Sequence, residues 1–154
     1  RFSPDGTPLV VAGVRMPGEA RVDAHSDGDV AAHALTAALL GAAGLGDIGE
    51  HFPPSDRRWK GADSALFLAH AAALVRSHGA IIDHVDCTVV AEAPKVGPHR
   101  QAIRARVAAI LGLDIGQVSL KATTTEGLGF TGRREGLAAL ATAVNSVSTI
   151  QKLI

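Results

Sequence analysis

One stretch limits the choice of folds more than any other. From Ile81 to Ala91 the chain is β-branched and partly alternating, with Val85, Cys87 and Val89 on one face and Asp86 and Thr88 on the other. Alternation at period two marks a strand with one face buried. The segments on either side read as helices. Asp63 is a good cap for a run that continues to His78, and Gly79 is its stop. From about His99 to Leu111, the residues Ile103, Val107, Ile110 and Leu111 recur at helical spacing. A half-buried strand between two helices requires a domain in which both kinds of element share a core. Hydrophobic residues make up 47% of the chain but aromatic ones only 3%, so Ala, Val, Leu and Ile must fill that core.

The remaining elements follow from turn residues and spacing. Asp5-Gly6 and Pro8 read as a turn before a short strand, Leu9 to Val14, which Pro17-Gly18 breaks. Val30 to about Ala43 reads as a helix that Asp27 or Asp29 can cap, with Gly44, Gly46 and Gly49 breaking the chain around Asp47-Ile48. Phe52 to Lys60 carries two prolines and alternating charges and reads as a loop. Val118 to Thr123 is a further strand. Leu137 to Val144 stays ambiguous, because alanine favours a helix while the length suits a buried strand. At 154 residues, without repeat or linker, the chain is one domain large enough to bury a core.

Charge and cysteine content narrow the partners. Lys plus Arg and Asp plus Glu each number 15, so no excess charge points to nucleic acid or to an anionic membrane. No apolar run reaches the ~18 residues of a membrane span. Cys87 is the single cysteine, which excludes an intrachain disulfide and fits a reducing compartment. The first residues lack the pattern of a signal peptide and lack an initiator Met, so the expectation is that the gene product starts further upstream.

Four segments are more polar and glycine-rich than a connection needs. His25-Ser26-Asp27-Gly28-Asp29 with His33 offers imidazoles that can ligate a metal, donate to phosphate or act as a general acid; equally, it can be a capped loop with a core histidine. Gly46-Asp47-Ile48-Gly49 offers a carboxylate for substrate hydroxyls, or a plain helix exit. Ala91 to Pro98 is a rigid bend of small residues that a flat base can approach, with Lys95 available to a phosphate. The fourth segment is the most telling. Thr123, Thr124, Thr125 and Glu126, followed by Gly127, Gly129, Gly132 and Arg133, supply hydroxyls, backbone amides, a magnesium-competent carboxylate and a guanidinium, the parts that a diphosphate needs. No Gly-Lys-Thr or Gly-Lys-Ser closes it, so it is not a P-loop.

Taken in order, these segments resemble the 2-C-methyl-D-erythritol 2,4-cyclodiphosphate synthases of the non-mevalonate isoprenoid pathway. The matching strings are Ala24 to Val30 with His33-Ala34-Leu35, Leu45 to Gly49, Phe52-Pro53, Lys60 to Ser64, Ala93-Pro94-Lys95, Lys121 to Glu126, Leu128 to Arg133, and Glu135-Gly136. The resemblance covers roughly Phe2 to Val144 and leaves 145–154 unmatched. It implies a single cyclodiphosphate synthase domain, 1–154, of α+β class: about four strands in a mixed sheet with helices on one face. It implies a homotrimer with sheets lining the axis and active sites between neighbours, and it makes Leu137 to Val144 a strand.

The resemblance also implies roles. The 2-phosphate of 4-diphosphocytidyl-2-C-methyl-D-erythritol 2-phosphate attacks the β-phosphate of the same molecule and CMP leaves. His33 matches a zinc (or manganese) ligand, and Glu126 matches the holder of a magnesium or manganese ion between the α- and β-phosphates. His25 and Thr124 match the pair that steadies the transition state. Asp47, Ile48 and Gly49, with Ser26 and the loop Phe52, Pro53, Pro54, Ser55 and Asp56, fall on the methylerythritol side. Ala91, Glu92, Ala93, Pro94, Lys95, Val96 and Gly97, with Thr123 and Thr125, fall on the cytidine and phosphate side. Phe130 and Arg133 match residues lining an axial cavity for phosphate or an isoprenoid diphosphate. The implied location is bacterial cytoplasm, with a plastid as the alternative.

The family also carries an Asp-x-His motif on its first strand that supplies two further zinc ligands. Here it falls before Arg1, and the expectation is that those residues were cleaved, omitted or disordered. Two other classes compete: a noncatalytic trimer that binds cytidine nucleotides or isoprenoid diphosphates, and a metal-dependent phosphohydrolase using His25, Asp27 and Asp29.

Overall fold

A computed structural model describes residues 1–18, 20–24, 26–53 and 55–147. Two of the expected site residues, His25 and Pro54, lie outside that description, as does the tail from residue 148. At the centre is a three-stranded mixed sheet. Its middle strand is β5 (Ala80–Val90), with β6 (Val118–Thr123) parallel to it and β7 (Ala138–Val147) antiparallel. Parallel neighbours need a crossover. The helix α4 (Arg100–Leu111) supplies it, packs on β6 and ends at Gly112 in the left-handed conformation, φ +63°. The helix α1 (Val30–Ala42) lies on β7 and β5, and α3 (Ser64–Ser77) packs against α1 and β5.

The alternation read in the central strand sets which face is covered. Ile82, Val85, Cys87 and Val89 are buried with Leu35, Leu39, Leu68, Val75, Ile103 and Val107 of the helices. Each such side chain contributes about 1.5–3 kcal/mol on leaving water. The Cys87 thiol is pushed up to about 12, first by burial and then by the charge of Asp86, so it is a packing group rather than a nucleophile. On the opposite face an Asp86–Lys121 ion pair at 2.6 Å sits among Leu140 and Val144, which are 63% and 52% exposed.

The α+β class and the placing of helices on one face hold. The main sheet has three strands among the described residues rather than about four, because the N-terminal strands pair with one another: β1 (Phe2–Pro8) with β4 (Arg21–Val22), and β2 (Val10–Val11) with β3 (Val14–Arg15). Two readings at this end need correction. Leu9 to Val14 is not one strand but a hairpin, turned at Ala12 and Gly13 with φ of +47° and +77°; the alanine hid a turn that two-residue hairpins usually mark with Asn or Asp before Gly. Asp5-Gly6 lies within β1, where Phe2 and Thr7 both face Val22 across an irregular register. A side chain on Gly6 would come within 2.2 Å of the Val22 carbonyl oxygen, so the close approach demands glycine. Leu137 to Val144 is a strand, and its small alanines 139, 141 and 143 pack on the core while Leu140, Thr142 and Val144 face out.

Candidate functional site

The first cavity, about 450 Å³, opens beside the N-terminal turn of α1. His33 is half-buried in its wall, with Nε2 3.4 Å from Ser26 Oγ and its ring edge-on to Phe67 at 5.7 Å. The chain's four phenylalanines and one tryptophan are thinly spread in sequence. Three of these five aromatics nevertheless meet here: Phe52 lies 4.5 Å from Phe67 and 5.2 Å from Trp59 between ring centroids. Ile48 and Gly49 complete that side. They begin the short helix α2 (Ile48–His51), whose first turn is held by Asp47 Oδ1 accepting from the Glu50 amide at 3.0 Å. Asp47 is therefore a helix start rather than a helix exit. Ser55 is exposed, Pro53 is half-buried, and Asp56 is paired with Arg58 at 2.6 Å, which holds its carboxyl below the usual range.

The two aspartates between Ser26 and α1 brace the backbone. Asp29 is 1% exposed and accepts from the amides of Ala12 at 2.7 Å, Gly13 at 2.6 Å and Ala32 at 2.9 Å. It caps α1 and holds the hairpin turn at once; burial raises its pKa while the three amides pull it back. Asp27 accepts from the Ser64 amide at 2.8 Å and the Asp29 amide at 3.1 Å, and also pairs with the Ser64 hydroxyl. These bonds leave a phosphohydrolase centre on Asp27 and Asp29 without free carboxylates.

The second cavity, about 380 Å³, lies where parallel strands β5 and β6 end and the crossover to α4 begins. Open α/β sheets receive ligands at such carboxyl ends. Ala91, Lys95, Val96 and Gly97 line it with Thr123 and Thr124, and Arg100 stands at its edge. Ala93 and Pro94 face a different hollow, together with Arg21 and Arg134. The Thr-rich turn is tightly built. Thr124 Oγ1 donates to Glu126 Oε1 at 3.0 Å, and Glu126 takes the left-handed conformation at φ +51°. Thr125 Oγ1 donates to the Leu128 carbonyl at 2.6 Å and sits 2.9 Å from Thr131 Oγ1, so its hydroxyl is engaged internally. Glu92 Oε1 accepts from the Thr125 and Gly127 amides, each at 3.2 Å. Arg133, just past the short helix α5 (Gly129–Gly132), is paired with Glu135 at 2.7 Å, and half-exposed Phe130 borders a further hollow with Arg1, Phe2 and Leu137.

The fold thus groups the expected residues into separate sets. His33, Ser26, Ile48, Gly49 and Phe52 share the first cavity, while Lys95, Thr123 and Thr124 share the second, and no residue lines both. Among the described residues no three His, Cys, Asp or Glu side chains converge as a metal site. His33 fits as one donor to zinc, whose catalytic sites take three protein ligands. Glu126, exposed beside a hydroxyl, fits magnesium, which binds through one or two carboxylates plus phosphate oxygens. Sequence reading missed Trp59, Phe67 and Arg100 as lining residues. Only tertiary packing of the loop and α3 brings the first two to His33, and a lone arginine at a helix start carries no signal.

Fold and cavities define an α+β domain built around two open pockets, one walled by aromatic rings and one at a strand terminus. The chain belongs to the YgbB family, whose model matches residues 1–146. It is 63% identical over 145 residues to a bifunctional enzyme IspD/IspF of Rhizorhabdus wittichii, covering 94% of this chain and 38% of that protein. The chain therefore spans well under half the length of the bifunctional relatives it matches. Among solved structures, the bifunctional IspDF of Campylobacter jejuni aligns with a TM-score of 0.87 at 46% identity, over 94% of this chain and 38% of that one. A 2C-methyl-D-erythritol-2,4-cyclodiphosphate synthase in a CDP-bound form aligns with a TM-score of 0.85 at 38% identity, over 95% of this chain and 94% of that one. Among the described residues no helix is long and apolar enough to cross a membrane.

Proposed function

We propose that the chain cyclises 4-diphosphocytidyl-2-C-methyl-D-erythritol 2-phosphate to 2-C-methyl-D-erythritol 2,4-cyclodiphosphate, releasing CMP, as a metal-dependent phosphorus–oxygen lyase of isoprenoid precursor synthesis in the cytoplasm. A 2-phosphate oxygen forms a bond to the β-phosphorus, the bond from that phosphorus to the bridging oxygen breaks, and CMP leaves with the bridging oxygen. The observation that carries this reading is the strand-end cavity, with its threonines and Lys95, in the fold of a synthase whose structure holds CDP. Backbone and small side chains of Ala91, Val96 and Gly97 take the cytosine, and Lys95, Thr123 and Thr124 take the phosphates. The first cavity takes the polyol: Ser26 in its lining and the exposed Asp47 beside Ile48 meet the hydroxyls, and the Phe52–Trp59–Phe67 wall packs against the carbon chain. His33 supplies one zinc donor and Glu126 the magnesium ligand. Metals held by these residues would supply Lewis-acid chemistry, neutralising phosphate charge. With no covalent intermediate to stabilise, the residues contribute positioning and electrostatic complementarity.

A single chain keeps its two cavities apart, so the proposal includes a homotrimer in which the first cavity of one copy faces the second of its neighbour. The exposed Leu140 and Val144 would then line the axis, and the hollow near Phe130 and Arg133 would hold phosphate or an isoprenoid diphosphate. The test is complementation. His33→Ala and Thr124→Ala proteins, each nearly inactive alone, are unfolded and refolded together in equal amounts. A site shared between copies restores about a quarter of wild-type activity, because that fraction of sites pairs one intact half with the other. No recovery in well-formed mixed trimers contradicts the shared site.

A further inference from the structure

We infer that Glu92 is the positioning residue for the Thr124–Glu126 pair, holding the turn that presents both groups rather than touching ligand itself. The inference rests on the proposed reaction for its activity arm and on geometry alone for the rest. One oxygen of Glu92, Oε1, accepts from the amides of Thr125 and Gly127 at 3.2 Å each. Those amides flank Glu126, the one residue of the turn with a side chain and a left-handed backbone, φ +51°. An L-residue enters that region only when its surroundings hold it there. Two hydrogen bonds to a charged acceptor, one on each side, provide the hold. The consequence is direct, because it is within this turn that Glu126 Oε1 receives the Thr124 hydroxyl at 3.0 Å. Glu92 belongs to a different segment, 33 residues before Thr125, so it also ties the end of β5 to the loop after β6.

Charge argues the same way. A free carboxylate beside a polyphosphate repels it, whereas one already accepting two amides has its charge turned toward the loop. Charge strengthens these bonds but an acceptor oxygen at that point makes them, so glutamine keeps most of the hold where alanine keeps none.

The test compares Glu92→Gln and Glu92→Ala in the full-length protein. The expected result is that Glu92→Ala lowers kcat about 10- to 100-fold, the scale of losing bonds to a charged acceptor, and raises the Mg²⁺ concentration for half-maximal rate. CMP affinity without metal should stay within about twofold, since Ala91, Val96 and Gly97, which take the base, are not held by these bonds, and Glu92→Gln should restore most of the rate. Amide exchange of Thr125 and Gly127 in the wild-type protein needs neither turnover nor a mutant fold, and both should be protected. Unprotected amides, an unchanged kcat in Glu92→Ala, or CMP affinity that falls in both variants would each overturn the inference; the last would make Glu92 a ligand contact. If the wild type fails to cyclise its substrate while the amides are protected, the proposed reaction falls and the positioning role stands.

Discussion

Thr124→Ala is expected to lower kcat by about 2–4 kcal/mol of transition-state stabilisation, roughly 30- to 1,000-fold, by analogy with removing an oxyanion-hole donor. Thr124 lines the strand-end cavity, and its hydroxyl donates its single proton to Glu126 Oε1 at 3.0 Å, a bond it must exchange for one to phosphate. A donor that turns to the phosphate only as charge develops there stabilises the transition state and contributes less to binding a ground state. CMP affinity should therefore fall far less than turnover. Equal losses in both would reduce Thr124 to a ground-state contact, with the account of the turn around it losing its purpose.

The largest effect on stability is expected from Asp29→Ala. That change removes the cap of α1, costing about 0.5–2 kcal/mol. It also strands the Ala12 and Gly13 amides, one buried and one half-buried, at about 1–3 kcal/mol each. A total of about 2.5–8 kcal/mol is a large part of the 5–15 kcal/mol that holds a typical domain together. Asp29→Asn keeps an acceptor oxygen and should lose less than half as much. Chemical denaturation of the purified proteins reads both values; an alanine variant within about 1 kcal/mol of wild type would show that the hairpin turn finds other partners.

How much was legible in the sequence depended on whether the signal was local. The central strand announces itself through Val85, Cys87 and Val89, and the helix stop at Gly79 holds because that residue adopts the positive φ that glycine permits. The Ala12-Gly13 hairpin was hidden, since what makes the turn stable is a carboxylate 17 residues away at Asp29. The same limit applied to the site. The polar segments can be picked out one by one, yet nothing in their spacing reveals that Glu92 grips the Thr-rich turn, that the Thr125 hydroxyl is engaged internally, or that Ala93 and Pro94 line a different hollow from Lys95. The aromatic wall needed three residues from two elements to meet. Sequence alone also leaves open a fusion to another domain, which the bifunctional relatives bring into view.

Cyclisation is read from phosphorus NMR of the full-length protein with its diphosphocytidyl substrate and divalent metal. Equal amounts of CMP and a cyclic diphosphate are expected, with no signal from inorganic phosphate, because the attacking and leaving groups belong to one molecule. CMP formed together with an acyclic bisphosphate, whose two phosphorus signals are those of phosphomonoesters, would mean that water attacks the β-phosphorus instead, and would rule cyclisation out.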